Sequence, residues 1–354
     1  MKYLFVGVSA IALAGVAIAA MADGADTGLL LSDAAPVTES TSVMSVHAPA
    51  DVAAPPQGLD DTAATPAREN TASHADVSAV PLDVAIDGDA LPYDIWHHMV
   101  MPGETVAISA NLPLHLSING QDIAQSETDH AWVAPDAPGT YSLTATDAAG
   151  RERQVTIFVL QPLNGAEVLE GYRIGTYPRD TPDGLIRLTQ ADMDARISPH
   201  FRIGQFICKQ QPGHWPKYLL TSGSMLLRLE ALLASMQEED LTDADTFFIM
   251  SGYRTPFYNT AIGSAQFSRH MYGDASDIYP DVVGNDGIMD DLDGDGMTTR
   301  ADAEFLYDYA ERLYTSNVHL PAGGIGAYSA NAVHGPFVHV DGRGHPARWG
   351  RRRT

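Results

Sequence analysis

The stretch that decides the fold runs from residue 268 to residue 277 and reads Ser268-Arg269-His270-Met271-Tyr272-Gly273-Asp274-Ala275-Ser276-Asp277. His270 and Asp277 can bind one metal ion if the chain turns back between them. Gly273 permits that turn, because glycine adopts backbone conformations that strain other residues, and Ala275 leaves room for close packing beneath it. A histidine and an aspartate at this spacing are common by chance, so a metal site needs a further ligand.

His339 is the further candidate ligand, on the strand predicted for Phe337–Val340. Two imidazoles and one carboxylate leave one position open on a tetrahedral zinc ion, and an open position is typical of catalytic zinc sites. Zinc would make a water molecule bound there more acidic and would polarise a carbonyl group. The residue types therefore predict a zinc cofactor held by His270, Asp277 and His339.

The pattern Ser-x-His-x-x-Gly-x-Ala-x-Asp with a distant histidine resembles the zinc D-alanyl-D-alanine peptidase family. The resemblance covers about residues 195–350 and includes Ile197–Cys208, Ser251–Pro256 and Gly335–Asp341, the last followed by Arg348 and Trp349. That family contains D,D-carboxypeptidases, D-Ala-D-Ala dipeptidases and murein endopeptidases, and it shares a fold with the hedgehog signalling domain. The resemblance therefore implies an α+β zinc peptidase domain of this hedgehog/DD-peptidase type at residues 163–354.

The resemblance also implies roles for two residues beside the zinc ligands. Arg254 would stabilise the developing oxyanion or hold a substrate carboxylate, because its guanidinium presents fixed paired donors; a surface ion pair is the alternative. Many family members carry a general base three residues before the last histidine, where this chain has Pro336. We predict Asp341 as the substitute, since it points to the same side of the strand as His339. The alternative is that Asp341 only orients a zinc ligand.

A second metal site is predicted in an acidic insertion at residues 284–302. Acidic residues stand at loop positions 1, 3, 5 and 12 with glycine at position 6, as in calcium-binding loops: Asp291, Asp293, Asp295 and Asp302. The pattern predicts a structural calcium ion between the two halves of the zinc site. The alternative is an acidic, solvated loop without an ion.

Other segments of residues 163–354 alternate between helix and strand patterns. Met225–Met236 and Ala303–Tyr314 carry apolar residues at helical spacing, and in the first of them Arg228 and Glu230 are predicted to lie off the apolar face. Thr246–Met250 is predicted as a buried strand. The sequence contains one cysteine, Cys208, so no intramolecular disulfide can form, and we predict this residue in the core.

Residues 80–162 show short alternating runs between Pro-Gly turns, as in Val106–Ile108, Tyr141–Thr144 and Val155–Val159. This pattern is typical of a small antiparallel β-sandwich of the immunoglobulin-like kind. We find no catalytic residue set in this region. It would act as a spacer, a wall-binding module or a surface for a protein partner, and the sequence does not choose among these roles.

The N-terminal residues predict the compartment. Lys2 precedes an apolar run, Tyr3–Met21, that ends in a small-x-small motif, so residues 1–22 resemble a secretory signal peptide. An uncleaved membrane anchor is the alternative, since the run approaches the ~20 residues that span a bilayer. Residues 23–79 are rich in Ala, Pro and Thr and predict a disordered linker. We therefore expect an exported protein of the periplasm or cell envelope.

The net charge bears on the partners. Forty-five acidic residues against 21 lysines and arginines give a formal charge of −24, which repels nucleic acid and anionic membrane surfaces. The resemblance implies a zinc peptidoglycan peptidase, a murein endopeptidase or D,D-carboxypeptidase that acts on peptide stems. Two alternatives stay open: a catalytically inactive zinc-containing wall-binding or scaffold protein, and a calcium-dependent adhesion protein built on the sandwich and the acidic loop.

Overall fold

The computed structural model describes residues 80–351. The predicted signal peptide (1–22) and linker (23–79) lie outside the described residues. Within residues 80–351, no helix is long and apolar enough to cross a membrane.

The N-terminal part of the described chain is a seven-stranded sheet. Its strands are β1 (Val84–Ile86), β2 (Asp89–Ala90), β3 (Ile95–Val100), β4 (Thr105–Ile118), β5 (Gln121–Val133), β6 (Gly139–Asp147) and β7 (Glu152–Val159). The strand order is β2-β1-β4-β6-β7-β3, with β5 paired to β4. Each of the three strand segments that the alternating pattern predicted lies inside one of these strands. The division of this region into an immunoglobulin-like sandwich domain ending at residue 162 stays a prediction.

Alternation along β4 shows why this region forms a sheet. Val106, Ile108, Leu114 and Leu116 are buried in one apolar cluster, whereas many of the residues between them face solvent. Side chains of a strand point alternately to its two faces, so this spacing buries one face of the sheet. The hydrophobic pattern of β4 thus determines which face of the sheet packs into the apolar core.

The C-terminal part mixes strands and helices, as the sequence predicted. The strands are β8 (Gln161–Pro162), β9 (Val168–Leu169), β10 (Tyr172–Arg173), β11 (Gly184–Leu188), β12 (Lys217–Leu219), β13 (Phe248–Ser251), β14 (Ala275–Tyr279), β15 (Gly324–Tyr328), β16 (Phe337–Asp341) and β17 (Ala347–Trp349). The α-helices are α1 (Gly223–Glu238), α2 (Pro256–Ala261) and α3 (Arg300–Ser316). Short 3-10 helices lie at Gln190–Asp192, Ile203–Phe206 and Arg269–Tyr272.

A five-stranded sheet of order β13-β14-β16-β15-β17 carries the site, and α1 and α3 pack against it. In α3, the Thr299 hydroxyl accepts the amide hydrogen of Ala301 and the Asp302 carboxylate accepts that of Thr299. This reciprocal capping fixes where α3 begins. Cys208 is buried in the same core, as predicted.

The helix α1 differs from the prediction at two charged residues. Arg228 and Glu230 are both 1% exposed, although the helical pattern placed them off the apolar face. The Arg228 guanidinium stacks on the Tyr314 ring at 3.7 Å and donates to the Pro321 carbonyl. Glu230 accepts a hydrogen bond from the amide of His200. Partners from distant segments cover both side chains, and a helical pattern carries no information about such partners.

The N-terminal sheet and the C-terminal part contact each other directly. His97 on β3 places its Nδ1 3.1 Å from the carbonyl oxygen of Ile197, and the Thr156 hydroxyl donates to the carbonyl of Arg196. Phe158 on β7 is buried in the C-terminal core. These contacts join the two parts through buried polar and apolar groups.

Candidate metal centre

The turn between His270 and Asp277 has the shape that the sequence indicated. His270 lies in the 3-10 helix Arg269–Tyr272, which ends at Gly273 with a φ of 68°. A Cβ atom at Gly273 would overlap the carbonyl group of Leu220 and lie 2.7 Å from the amide nitrogen of Thr221. Glycine is therefore required both for the left-handed conformation and for the close approach. The chain then enters β14, which carries Asp277.

Strand register brings the third residue to the first two. Asp277 on β14 lies directly opposite His339 on the antiparallel strand β16. Side chains at opposite positions of neighbouring strands stand about 5 Å apart at Cβ, so their polar ends can meet. The three side chains are buried: His270 is 2% exposed, Asp277 3% and His339 7%.

The three side chains offer ligand atoms that all lie within 4.8 Å of one another. Asp277 Oδ1 is 2.9 Å from His339 Nδ1 and 3.3 Å from His270 Nε2. The two ring nitrogens are 3.2 Å apart. Zinc bonds of 2.0–2.1 Å in tetrahedral geometry place neighbouring ligand atoms roughly 3.3 Å apart. The spacing of these atoms therefore fits a zinc ion.

Each imidazole uses its other nitrogen to bind the protein. His270 Nδ1 lies 2.7 Å from the carbonyl oxygen of Gly252, so this nitrogen donates and Nε2 faces the cluster. His339 Nε2 lies 3.1 Å from Asp341 Oδ2, so Nδ1 faces the cluster. Metal-binding histidines are commonly fixed in this way by a carbonyl or carboxylate oxygen. The donor set thus fits a divalent metal in tautomer as well as in spacing.

The protonation states of His270 and Asp277 also suit a cation. Burial, with a smaller contribution from Arg254, lowers the pKa of His270 to about 4, so this imidazole is neutral at pH 7. Burial raises the pKa of Asp277, but the neighbouring His270 and Arg254 outweigh it and hold the pKa well below its usual value. A neutral imidazole and an ionised carboxylate are the forms that bind metal.

Asp341 lies in a position that does not support the predicted role of general base. Its side chain is fully buried and does not line the cavity beside the cluster. Its Oδ1 accepts the amide hydrogen of Gly324 at 2.8 Å, and Arg343 Nε lies 2.9 Å from both carboxylate oxygens. With His339 on Oδ2, both oxygens are engaged. This environment favours the alternative role, in which Asp341 orients His339.

Arg254 lies against the cluster rather than on the open surface. Its guanidinium donates to the Asp277 carboxylate, to the Ser251 hydroxyl at 2.8 Å and to the Ser264 hydroxyl at 3.3 Å. The side chain also lines the cavity. The predicted alternative of a surface ion pair does not describe this contact, because the carboxylate is that of a candidate metal ligand and is 4% exposed.

The cluster opens into a cavity of about 570 Å³. Four basic residues line it: Lys209, Arg254, Arg269 and Arg343. Aromatic side chains line it as well: Phe248, Tyr258, Phe267, Tyr279, Tyr328, Phe337 and Trp349. Among the four basic residues, only Arg254 was given a role from the sequence. Arg343 lies two positions after Asp341, and Lys209 directly follows the segment Ile197–Cys208 that resembles the peptidase family, so these positions were the sequence signals for them.

The structure brings three of the four predicted calcium ligands together. Oxygen atoms of Asp291, Asp293 and Asp302 lie within 4.8 Å of one another, and Asp295 is not part of this group. Asp302 is buried and accepts amide hydrogens from Leu292, Asp293 and Thr299. Exposed carboxylates commonly cluster without an ion. Calcium at this loop therefore stays a prediction.

A comparison with known protein families covers the part of the chain that carries two of the three clustered residues. The model of the family Peptidase M15 matches residues 217–289, a segment that contains His270 and Asp277 and ends before His339. The match supports an M15-type zinc peptidase domain in this chain. No curated protein matches the chain.

Four solved chains show some similarity. One is a structure of Bacteroides ovatus mixed-linkage glucan utilization locus SGBP-B in complex with a mixed-linkage heptasaccharide, at 21% identity and a TM-score of 0.15. The match covers 28% of this chain and 32% of that one. At that TM-score the likeness gives no information about fold or function.

Proposed function

We propose that this protein is a zinc-dependent peptidoglycan peptidase, a murein endopeptidase or a D,D-carboxypeptidase that hydrolyses peptide bonds of cell-wall stems. The carrying observation is the group of His270, Asp277 and His339, whose ligand atoms have zinc spacing and which line a cavity. The M15 match over residues 217–289 supports the same reaction class. Peptide stems as the partner, and an exported location, rest on the family resemblance and the N-terminal pattern.

His270, Asp277 and His339 would hold the zinc ion. When bound, zinc would supply a Lewis acid that polarises the scissile carbonyl and acidifies a water molecule. The protein's own contribution is orientation: the Gly252 carbonyl fixes His270, and Asp341 fixes His339. Buried, pre-oriented ligands keep the site rigid while the substrate changes.

Arg254 is the candidate for stabilising charge that develops on the substrate. A guanidinium carries five N–H donors, and the contacts to Asp277, Ser251 and Ser264 occupy three of them. The remaining donors are available to a substrate oxygen. Because the side chain is held by these contacts, little reorganisation is needed when an oxyanion forms.

A second candidate function is a zinc-containing wall-binding protein without hydrolysis. One observation favours it: among the described residues that line the cavity, Asp277 is the only acid. Asp277 is a candidate metal ligand and Asp341 is fully engaged, so neither is a free carboxylate for a general base. The two functions share the metal site and differ in turnover.

Digestion of purified peptidoglycan by the purified protein tests the proposal. We expect new fragments by mass spectrometry that disappear with a chelator and return with added zinc. His270→Ala should remove both the zinc and the fragments, and His115→Ala, at an exposed histidine on β4, is the matched control. A folded protein that carries one zinc ion and releases no fragment would contradict hydrolysis and support the wall-binding function.

A further inference from the structure

The cavity differs in charge from the rest of the molecule. The chain carries a formal charge of −24. In contrast, the described residues that line the cavity include four basic side chains and one acid, Asp277. Clustered charge of one sign in a cleft attracts ligands of the opposite sign. A basic side chain of this lining that lacks a carboxylate partner is therefore the place to look for an anionic ligand.

Three of the four basic side chains already have carboxylate partners. Arg254 pairs with Asp277, Arg269 with Asp274 and Arg343 with Asp341. Lys209 is the exception: within residues 80–351 it has no hydrogen bond or ion pair, and its side chain is exposed at the cavity. It is also the only exposed lysine in that range, since Lys217 is buried.

The backbone around Lys209 is firmly held. Cys208 before it is 2% exposed and Gln210 after it is 6% exposed. The side-chain amide of Gln210 donates to the carbonyl of Arg173 at 2.6 Å and ties this segment to β10. A lysine between two buried residues starts from a fixed point on the cavity wall. Its ammonium is therefore presented to the cavity by a rigid segment.

The Lys209 ammonium interacts with the metal cluster through its charge. Partial burial lowers the pKa of Lys209, Asp277 raises it and Arg254 lowers it. Asp277 would share its negative charge with a bound metal ion. The positive charges of Arg254 and Lys209 would then no longer be balanced by Asp277 alone. A carboxylate of the substrate would supply that charge.

We propose that Lys209 binds a free carboxylate of the substrate beside the scissile bond and so determines specificity for acidic peptides over their amidated forms. The proposal rests on the proposed peptidase function. The substrate would be a stem peptide with an ionised carboxyl group. Lys209 would bind that carboxylate, while Arg254 would stabilise the charge on the reacting carbonyl. Hydrogen bonds between charged groups of this kind are the strong ones in binding sites.

Paired substrates test the proposal. Synthetic stem peptides are prepared as free acids and as matched peptides in which one carboxyl group is a carboxamide. We expect one carboxyl position to matter: for the peptide with a free acid at that position, the wild-type kcat/KM should be about 10- to 100-fold higher than for the matched amide. Lys209→Gln should remove this preference by lowering kcat/KM for the free acid far more than for the amide, whereas Lys209→Arg should retain it. Arg312→Gln, an exposed cation on α3 outside the cavity, controls for long-range charge.

Binding to the metal-free protein gives a readout independent of turnover. In chelator, the Kd of the free-acid peptide measured by calorimetry should rise about 10-fold or more in Lys209→Gln and stay constant in Arg312→Gln. If Lys209→Gln weakens binding of the acid and the amide equally, or weakens binding of neither, the proposed role of Lys209 is overturned. If the zinc-loaded wild type cleaves neither peptide, the peptidase function fails. The calorimetry then decides the Lys209 proposal alone: a retained preference for the acid supports it, and equal binding overturns it.

Discussion

Asp341 Oδ2 lies 3.1 Å from His339 Nε2, while the other nitrogen of the same ring lies 2.9 Å from Asp277 Oδ1. The imidazole is therefore held between two carboxylates, one at each nitrogen. Hydrogen bonds to both carboxylates outweigh burial and raise the pKa of His339 to about 9. Without a metal ion, this ring is protonated at neutral pH and bridges the carboxylates. Metal binding must displace the Nδ1 proton, and Asp341 keeps the Nε2 proton in place.

Replacement of Asp341 by asparagine separates its two predicted roles. If Asp341 orients His339, Asp341→Asn should lower zinc affinity about 10- to 100-fold, and excess zinc should restore part of the activity. Competition with a chromophoric chelator measures the affinity, and thermal unfolding of the metal-free variants controls for the fold. Unchanged zinc affinity with turnover abolished would instead identify Asp341 as the base.

Replacement of Gly273 tests the turn that places His270 beside Asp277. Gly273→Ala combines a left-handed backbone with a Cβ that overlaps the Leu220 carbonyl. We expect the free energy of unfolding to fall by roughly 2–4 kcal/mol. Gly120→Ala is the matched control, because Gly120 has a φ of 75° and no atom within 4 Å of its Cβ position. The control should lose only about 1 kcal/mol, and equal losses in urea denaturation would contradict the packing argument.

The pH dependence of stability tests the burial of His97 where β3 meets the C-terminal part. Burial lowers the pKa of His97 from 6.5 to about 4, which is its value in the folded state. The unfolded chain therefore binds a proton more readily. Stability should fall as the pH drops below about 6.5 and level off below about 4, by roughly 3 kcal/mol in total. His97→Gln should lack the loss of stability between about pH 6.5 and pH 4. Parallel curves of stability against pH for the two proteins would contradict the burial of a neutral His97.

Replacement of Asp293 tests the predicted calcium site with little effect on the fold. Its carboxylate accepts one backbone amide, that of Asp295, whereas Asp302 also holds the start of α3. We expect millimolar calcium to raise the melting temperature of the wild type and to have less effect on Asp293→Asn. Magnesium at equal ionic strength controls for screening. An unchanged wild-type melting temperature would reject a calcium ion here.

The sequence allowed prediction of the metal cluster because its information is local. His270, Gly273 and Asp277 lie within one short stretch, and the required glycine is visible there. His339 was found through its predicted strand and the family resemblance, and the M15 match covers the segment that contains His270 and Asp277. Helical spacing likewise located α1 and α3 to within a few residues. Turns and helices of this kind are predictable because they depend mainly on residues that are close together in the sequence.

The surroundings of the cluster were not predictable in the same way. Strand alternation placed Asp341 on the side of His339, but it does not show which atoms that carboxylate meets. The answer depends on Gly324 and Arg343. Lys209 lies far from the ligands in sequence and reaches the cavity only through the fold. Asp295 fits the calcium pattern by position, yet loop conformation excludes it from the acidic group.

The register of β14 and β16 has a consequence for how this protein can change in evolution. Asp277 and His339 are 62 positions apart, yet the strand pairing alone sets them face to face. A single-residue insertion within either strand would turn one ligand to the opposite face of the sheet. The exposed stretch 293–298 between them is free of that register constraint, because a longer loop costs little to close. An engineer can therefore change the length of this stretch, or graft a peptide onto it, while the candidate metal ligands stay aligned.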